Sequence, residues 1–208
     1  CTGAEPIALT NCLNFGNPEN PEVYFQLENC INGMAEASDL LNVPVISGNV
    51  SLYNETQGEA IYPTPIVGAL GVIDDADNYR TGAFKEEDDI VILLAASGVE
   101  VDNVSLGGSE YLELRHGIVA GHLEIDLELE ARLQRLLVRL VSGGLLRSAH
   151  DCSDGGLIVA LAESCIAAGV GFASDFNVLG RWDTVLFGEV SSRVVVSLRP
   201  EHLEDLRI

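Results

Sequence analysis

Apolar residues recur along this chain with two periods, and each period predicts a kind of element. Val23, Leu27, Cys30, Ile31, Met34, Ala37 and Leu41 stand at helical spacing. Pro21 suits a first helical turn, Asn20 can cap it, and Glu22 faces the positive end of the helix dipole, so a helix is predicted from Pro21. Leu129, Leu133, Leu136, Leu137 and Leu140 form a second stripe between Asp126 and Ser142, which Gly143-Gly144 ends. Further helices are read from Glu110, over 156–168, and from Pro200. Short apolar runs bounded by turn formers predict strands over 6–10, 43–47, 50–53, 65–73, 90–95, 184–188 and 193–198, with another after Gly169-Val170-Gly171. Helices and strands mix throughout, which implies an α+β or α/β architecture.

The first part reads as a small βαβ-like arrangement. Residues 74–89 are polar and acidic, and a new apolar strand starts at Ile90, so a domain boundary is placed near residue 85, giving domains 1–85 and 86–208.

Charge narrows the choice of partners. The 208 residues carry 32 acidic against 11 basic side chains, a formal charge of −21, which argues against binding nucleic-acid backbones. A phosphorylated ligand must then be held by backbone N–H groups, helix N-termini, bridging cations or a basic surface from another polypeptide. The five cysteines are scattered without a Cys-x-x-Cys pair, against a disulfide framework or a zinc site and in keeping with a reducing cytoplasm. No apolar run approaches a membrane span. The chain opens at Cys1-Thr2-Gly3-Ala4 without an initiator methionine and reads as a piece of something longer.

The densest candidate chemistry follows the apolar run Val43 to Ile46, in Ser47-Gly48-Asn49-Val50-Ser51. Gly48 has no Cβ and admits a ligand to the main chain, Asn49 offers a neutral amide oxygen suited to a hard cation such as magnesium, and Ser51 adds a hydroxyl. Taken alone, the segment reads first as a two-residue Gly-Asn hairpin turn. His150-Asp151-Cys152-Ser153-Asp154-Gly155-Gly156 precedes an apolar helix that Ser153 or Asp154 can cap; phosphate binding there is the alternative, opposed by the two aspartates. Leu106-Gly107-Gly108-Ser109 is a glycine turn with Ser109 as cap, and Glu189 reads as a turn carboxylate, with cation binding as the lesser alternative. His116, His122, His150 and His202 have no spacing that supports a nucleophilic triad and read as surface or turn residues. Cys12 and Cys152 lack an evident base and read as small buried residues.

Six blocks occur in one order: Asn11 to Pro18 (NCLNFGNP), Ser47 to Glu55 (SGNVSLYNE), Tyr62 to Pro65 (YPTP), Leu106 to Leu112 (LGGSEYL), His150 to Leu157 (HDCSDGGL) and Leu186 to Glu189 (LFGE). Each is weak alone, but the ordered set resembles the C-terminal half of the small-type phosphoribosylformylglycinamidine synthases, within the aminoimidazole ribonucleotide synthetase-like superfamily, over essentially the whole chain. The resemblance implies a two-domain α+β unit: a truncated N-terminal-type α/β domain, then a C-terminal-type α+β domain with a mixed sheet flanked by helices. It also implies ATP-dependent conversion of formylglycinamide ribonucleotide to the amidine in purine biosynthesis, in the cytoplasm. ATP and Mg2+ would be the cofactors. The implied partners are a glutaminase subunit, a small adaptor subunit and the missing N-terminal half.

By motif, Asn11 and Gly48 would contact ATP, Asn49 would hold magnesium and Ser51 would touch the ribonucleotide. Many family members have aspartate where this chain has Asn11, so a charge is lost there. The family's catalytic histidine and most of its magnesium carboxylates lie in the other half, so the chain on its own is expected to be inactive. The competing readings are another ATP-using enzyme of the superfamily and a non-catalytic nucleotide-binding or assembly module.

Overall fold

Asn20 starts the first helix as its sequence predicts. In the computed structural model, which describes residues 1–95, 106–175 and 180–206, the Asn20 side chain accepts the Glu22 N–H at 3.0 Å, with Pro21 in the first turn. Strand β1 (Glu5–Asn14) precedes this helix, α1 (Pro21–Leu41), and strand β2 (Val45–Ser51) follows it. β2 lies parallel to β1, a βαβ unit. The hairpin strands β3 (Glu55–Thr56) and β4 (Glu59–Ala60) come next, then β5 (Thr64–Val72), which pairs antiparallel with the other edge of β1. The sheet order is β2-β1-β5.

One face of α1 is buried through Val23, Leu27, Cys30 and Met34, which pack with Leu13 and Phe15. Ile31, included in the predicted stripe, is exposed, because it lies about 100° round the helix from Cys30. The sheet leaves Val45, Ile46, Val50, Ile66, Val67, Leu70 and Val72 exposed, an extended uncovered apolar surface in this unit, Glu5–Val72.

The second compact unit comprises Cys1–Ala4 with Ile73–Ile208. Residues 73–85 make their backbone bonds here: Arg80 N–H to Thr2, and Phe84 N–H to Ser164. Its elements are β6 (Ile90–Ala95), α2 (Glu110–His116), α3 (Leu127–Ser142), β7 (Ser148–Asp151), α4 (Gly156–Ala168), α5 (Trp182–Phe187) and β8 (Arg193–Leu198), with short 3-10 turns over Pro200–His202 and Glu204–Leu206. The three strands form an antiparallel sheet in the order β6-β8-β7. Every residue of central β8 is buried. Strand alternation splits its side chains: Val194 and Val196 meet Leu133, Leu137 and Leu140 of α3, and Val195 meets Leu157, Ala160 and Leu161 of α4. The sheet is therefore covered by a helix on each face. Among the described residues the two units make an α+β protein with one mixed three-stranded sheet, one antiparallel three-stranded sheet and the two-stranded β3–β4 hairpin.

Several local expectations are corrected. Residues 47–51 are no hairpin turn; β2 runs unbroken through Gly48-Asn49, because pairing with β1 holds them extended. Asn11 to Asn14, beyond the strand predicted over 6–10, belong to β1. Residues 184–187 are helical, since a short apolar run carries no decisive period and here Thr184 and Val185 bury themselves in a turn packed on α4. His150 and Asp151 form the end of a strand. Where a strand is predicted after Gly171, residues 172–175 have no regular structure, and residues 176–179 lie outside the described residues. From Pro200 the chain makes 3-10 turns instead of a helix.

Candidate functional site

The parallel register of β1 and β2 determines which candidate residues meet. Asn11 lies opposite Gly48, Cys12 opposite Asn49, and Asn14 opposite Ser51. Alternation then sorts them onto two faces. Thr10, Cys12 and Asn14 share one face with Ser47, Asn49 and Ser51, where Thr10 Oγ1 and Ser47 Oγ are 2.9 Å apart and Asn49 Nδ2 donates to Cys12 Sγ at 3.6 Å. Asn11 and Gly48 project to the other face, the one on which Leu13 is buried.

Over Gly48 the space is filled by its neighbour. A Cβ there would stand 2.0 Å from Asn11 Oδ1 and 3.0 Å from the Asn11 carbonyl oxygen, so only glycine lets the two strands pair with the Asn11 amide lying across them. Asn49 is exposed, and among the described residues no hydrogen bond reaches its Oδ1, which leaves a neutral oxygen free for a hard cation. Ser51 is half-buried: its hydroxyl donates to Asn54 Oδ1 at 3.1 Å, while Asn54 Nδ2 donates to the carbonyls of Phe15 (3.0 Å) and Ser51 (2.9 Å). Asn54 thus locks the turn after β2 onto the end of β1. Among the described residues no group of three or more His, Cys, Asp or Glu is arranged to hold a metal ion. Asn49 fits one position in a cation's shell and would need further oxygens from the nucleotide, from solvent or from elsewhere in a longer chain.

The other glycine-rich blocks meet in the second unit. Glu189 Oε1 accepts the Gly155 N–H at 2.8 Å and the Glu110 N–H at 2.9 Å, placing one carboxylate at the N-termini of α4 and α2. This corrects the expected caps of α4: neither Ser153 nor Asp154 caps it, Gly155 does so in a left-handed conformation without a side-chain bond, and Glu189 supplies the acceptor. Ser109 does cap α2, accepting the Leu112 N–H at 3.3 Å. Gly156 has φ +71°, and a Cβ on it would lie 2.7 Å from the Gly188 carbonyl oxygen, so the glycine pair lets α4 start against the 186–188 backbone. Tyr111 stacks on Phe187 with centroids 4.6 Å apart, and Trp182 meets Tyr111 edge-on. The buried Arg193 donates to the carbonyls of Val185 (3.1 Å) and Gly188 (3.3 Å), and burial pulls its pKa down. The blocks LGGSEYL, HDCSDGGL and LFGE therefore form one hydrogen-bonded node.

Cys152 is 5% exposed, and burial pushes its thiol up to about 11, as befits a packing residue. Asp151 is held below the usual carboxylate range, first by the Ser153 hydroxyl. His150, read as a surface or turn residue, is half-buried on β7 with Nε2 3.2 Å from Glu163. Sequence reasoning missed the polar row Thr10, Cys12, Asn14, although the alternation in Thr10-Asn11-Cys12-Leu13-Asn14 was a legible strand signal.

These features define a two-unit α+β protein, and comparison places it in a family. Residues 1–73 match the model of the AIR synthase related protein N-terminal domain and residues 86–207 that of its C-terminal domain, with 74–85 in neither; the chain belongs to the AIR synthase related proteins. Within that family it is 47% identical over 205 residues to the phosphoribosylformylglycinamidine synthase subunit PurL of Caldanaerobacter subterraneus subsp. tengcongensis, covering 98% of this chain and 27% of that protein. The same subunit of Thermomicrobium roseum is 49% identical over 203 residues, 95% of this chain and 27% of that protein. The chain thus spans about a quarter of the length of these relatives.

Among solved structures, Thermotoga maritima PurL complexed with FGAR superposes with a TM-score of 0.70 at 16% identity, over 98% of this chain and 33% of that one. T. maritima PurL complexed with ATP gives 0.63 at 15%, over 98% and 31%. The E. coli hydrogenase maturation protein HypE gives 0.63 at 16%, over 98% and 62%. At such identities these structures share the fold.

Proposed function

We propose that this chain supplies nucleotide, magnesium and substrate contacts to an ATP-dependent, amidine-forming phosphoribosylformylglycinamidine synthase of purine biosynthesis. The observation that carries the reading is the β1–β2 register, which sets the four candidates on two adjacent strands, Asn49 and Ser51 on one face and Asn11 and Gly48 on the other. In the reaction, ATP phosphorylates the amide oxygen of formylglycinamide ribonucleotide, and ammonia from a glutaminase then displaces phosphate to leave the amidine.

Asn11 and the Gly48 backbone hold ATP, and the Ser51 hydroxyl orients the ribonucleotide. Asn49 Oδ1 takes one place on Mg2+, which when bound shields phosphate charge from a chain of net −21. The protein works in the cytoplasm with a glutaminase subunit, a small adaptor subunit and the other half of its own chain. The exposed apolar strands β2 and β5 give that other half a surface to cover. We assign 1–85 and 86–208 to the family's N- and C-terminal types, with 73–85 as the connection that packs within the second compact unit.

Turnover of ATP, ammonia and formylglycinamide ribonucleotide by the full-length protein tests the proposal. Asn49→Ala is expected to lower kcat/KM at least a hundredfold at saturating magnesium. Residues 1–208 alone are expected to give no product. Unchanged turnover in Asn49→Ala would instead favour the non-catalytic assembly role for these strands.

A further inference from the structure

The chain's few basic residues are not spread evenly. Of its 11 lysines and arginines, four (Arg80, Lys85, Arg147 and Arg199) line one cavity of about 560 Å³ in the unit from Ile73 onward, with His202 and Tyr79 beside them. Glu86 is the single acidic residue in its lining. Since acidic residues outnumber basic ones 32 to 11, a cavity lined without selection would carry the opposite sign.

The partners of these cations show which charges remain. Arg147 is charge-paired, 2.6 Å from Glu86 and 3.6 Å from the buried Asp89, although its Nε makes no hydrogen bond among the described residues. Arg80 spends its hydrogen bonds on main-chain carbonyls, Nε to Leu146 and Nη1 to Tyr79, and among the described residues no carboxylate lies within ion-pair distance. Lys85, the chain's single lysine, donates to Thr81 Oγ1 at 2.8 Å and likewise has no carboxylate partner among the described residues. Arg199 reaches Glu201 only at 3.9 Å and is half exposed. Among the described residues, two cations thus face the cavity without a carboxylate partner, and a third, Arg199, has only a long, exposed one. Gathering like charges is unfavourable unless an anion joins them, and a guanidinium anchored by carbonyls presents its remaining N–H groups in the fork that phosphate oxygens match.

We propose that this cavity is a binding site for a phosphorylated small molecule, its phosphate oxygens shared by Arg80, Lys85 and Arg199. The volume lies within the range of small-molecule sites and exceeds the need of a lone inorganic ion, leaving room for the organic part beside the Tyr79 ring. Nucleic acid is excluded by the overall charge. The site uses none of the residues assigned to ATP above, and it stands whether or not that assignment does.

Calorimetry on the full-length protein without magnesium, with inorganic pyrophosphate and ribose 5-phosphate as probes, tests it. Saturable binding of at least one probe is expected, weakening with salt. Lys85→Glu and Arg199→Glu, both at exposed positions, should each weaken it at least tenfold with unchanged thermal midpoints, whereas Asn49→Ala should leave it unchanged. Tighter pyrophosphate binding assigns a polyphosphate ligand, and tighter ribose 5-phosphate binding a sugar phosphate. The proposal fails if neither probe binds, if both charge reversals leave binding unchanged, or if a polyglutamate peptide binds in their place.

Discussion

Asn11 lies across Gly48 on the neighbouring strand, its Oδ1 only 2.0 Å from where a Gly48 Cβ would stand. The two residues are therefore coupled. Gly48→Ala must push the Asn11 side chain aside, and overpacking of this kind costs about 1–3 kcal/mol. Replacing Asn11 by alanine as well removes the obstructing amide, and the double variant should recover at least half of that loss. Urea unfolding of the two single variants and the double one, treated as a double-mutant cycle, checks the coupling. Simple addition of the two single effects would show that the strands adjust elsewhere.

At Asn49 the expected effects on stability and on binding separate. Its side chain is exposed with one weak contact to Cys12, so Asn49→Ala should change unfolding free energy by no more than about 0.5 kcal/mol. Magnesium-dependent ATP binding by the full-length protein should nonetheless fall more than tenfold. Equal ATP affinity with and without the side chain would remove Asn49 from the cation's shell.

Glu189 should act as a structural acceptor in the second unit. In Glu189→Ala the N–H groups of Gly155 and Glu110 both lose their side-chain partner, and bonds to a charged acceptor at helix N-termini are worth roughly 1.5–3 kcal/mol. Glu189→Gln keeps an acceptor oxygen without the charge and should retain about half of this contribution. Thermal unfolding should rank the proteins wild type, Gln, Ala. A Gln variant as unstable as Ala would mean that charge alone matters there.

Cys152 gives stability a dependence on alkaline pH. Its folded-state thiol is raised to about 11 by burial, so the contribution is fully present below the ordinary thiol value near 9 and is lost as pH rises through 11. Between those values the unfolded chain has released the proton while the folded one keeps it, a difference on the order of 2 kcal/mol. Cys152→Ala should flatten that part of the stability profile. Denaturant midpoints of both proteins from pH 8 to 11 measure it, and parallel curves would contradict the assignment.

Much of this protein is legible in its sequence alone, because the signals involved act between near neighbours. Asn20 before Pro21, Ser109 before Glu110 and Asp126 before Leu127 each set a helix start through a bond to a backbone N–H two or three residues on. The α3 stripe and the apolar runs of β6 and β8 are likewise local periods, and the ordered motif blocks carried the family. The reading of 47–51 as a turn and of 184–188 as a strand failed where local preference is indifferent. There the answer depended on partners distant in the chain: β1 holds Gly48-Asn49 extended, and α4 accepts the turn that carries Val185.

The sequence by itself thus determined the main helices and where they start, a charge that argues against nucleic acid, and the residue types available for chemistry. Only the tertiary structure decided their company. It set Asn49 beside Cys12 across 37 residues, Gly155 under Glu189 across 34, and four scattered cations around one cavity. Helix caps and periods are fixed by short-range geometry, whereas strand register and helix docking are chosen by burial of the whole apolar surface.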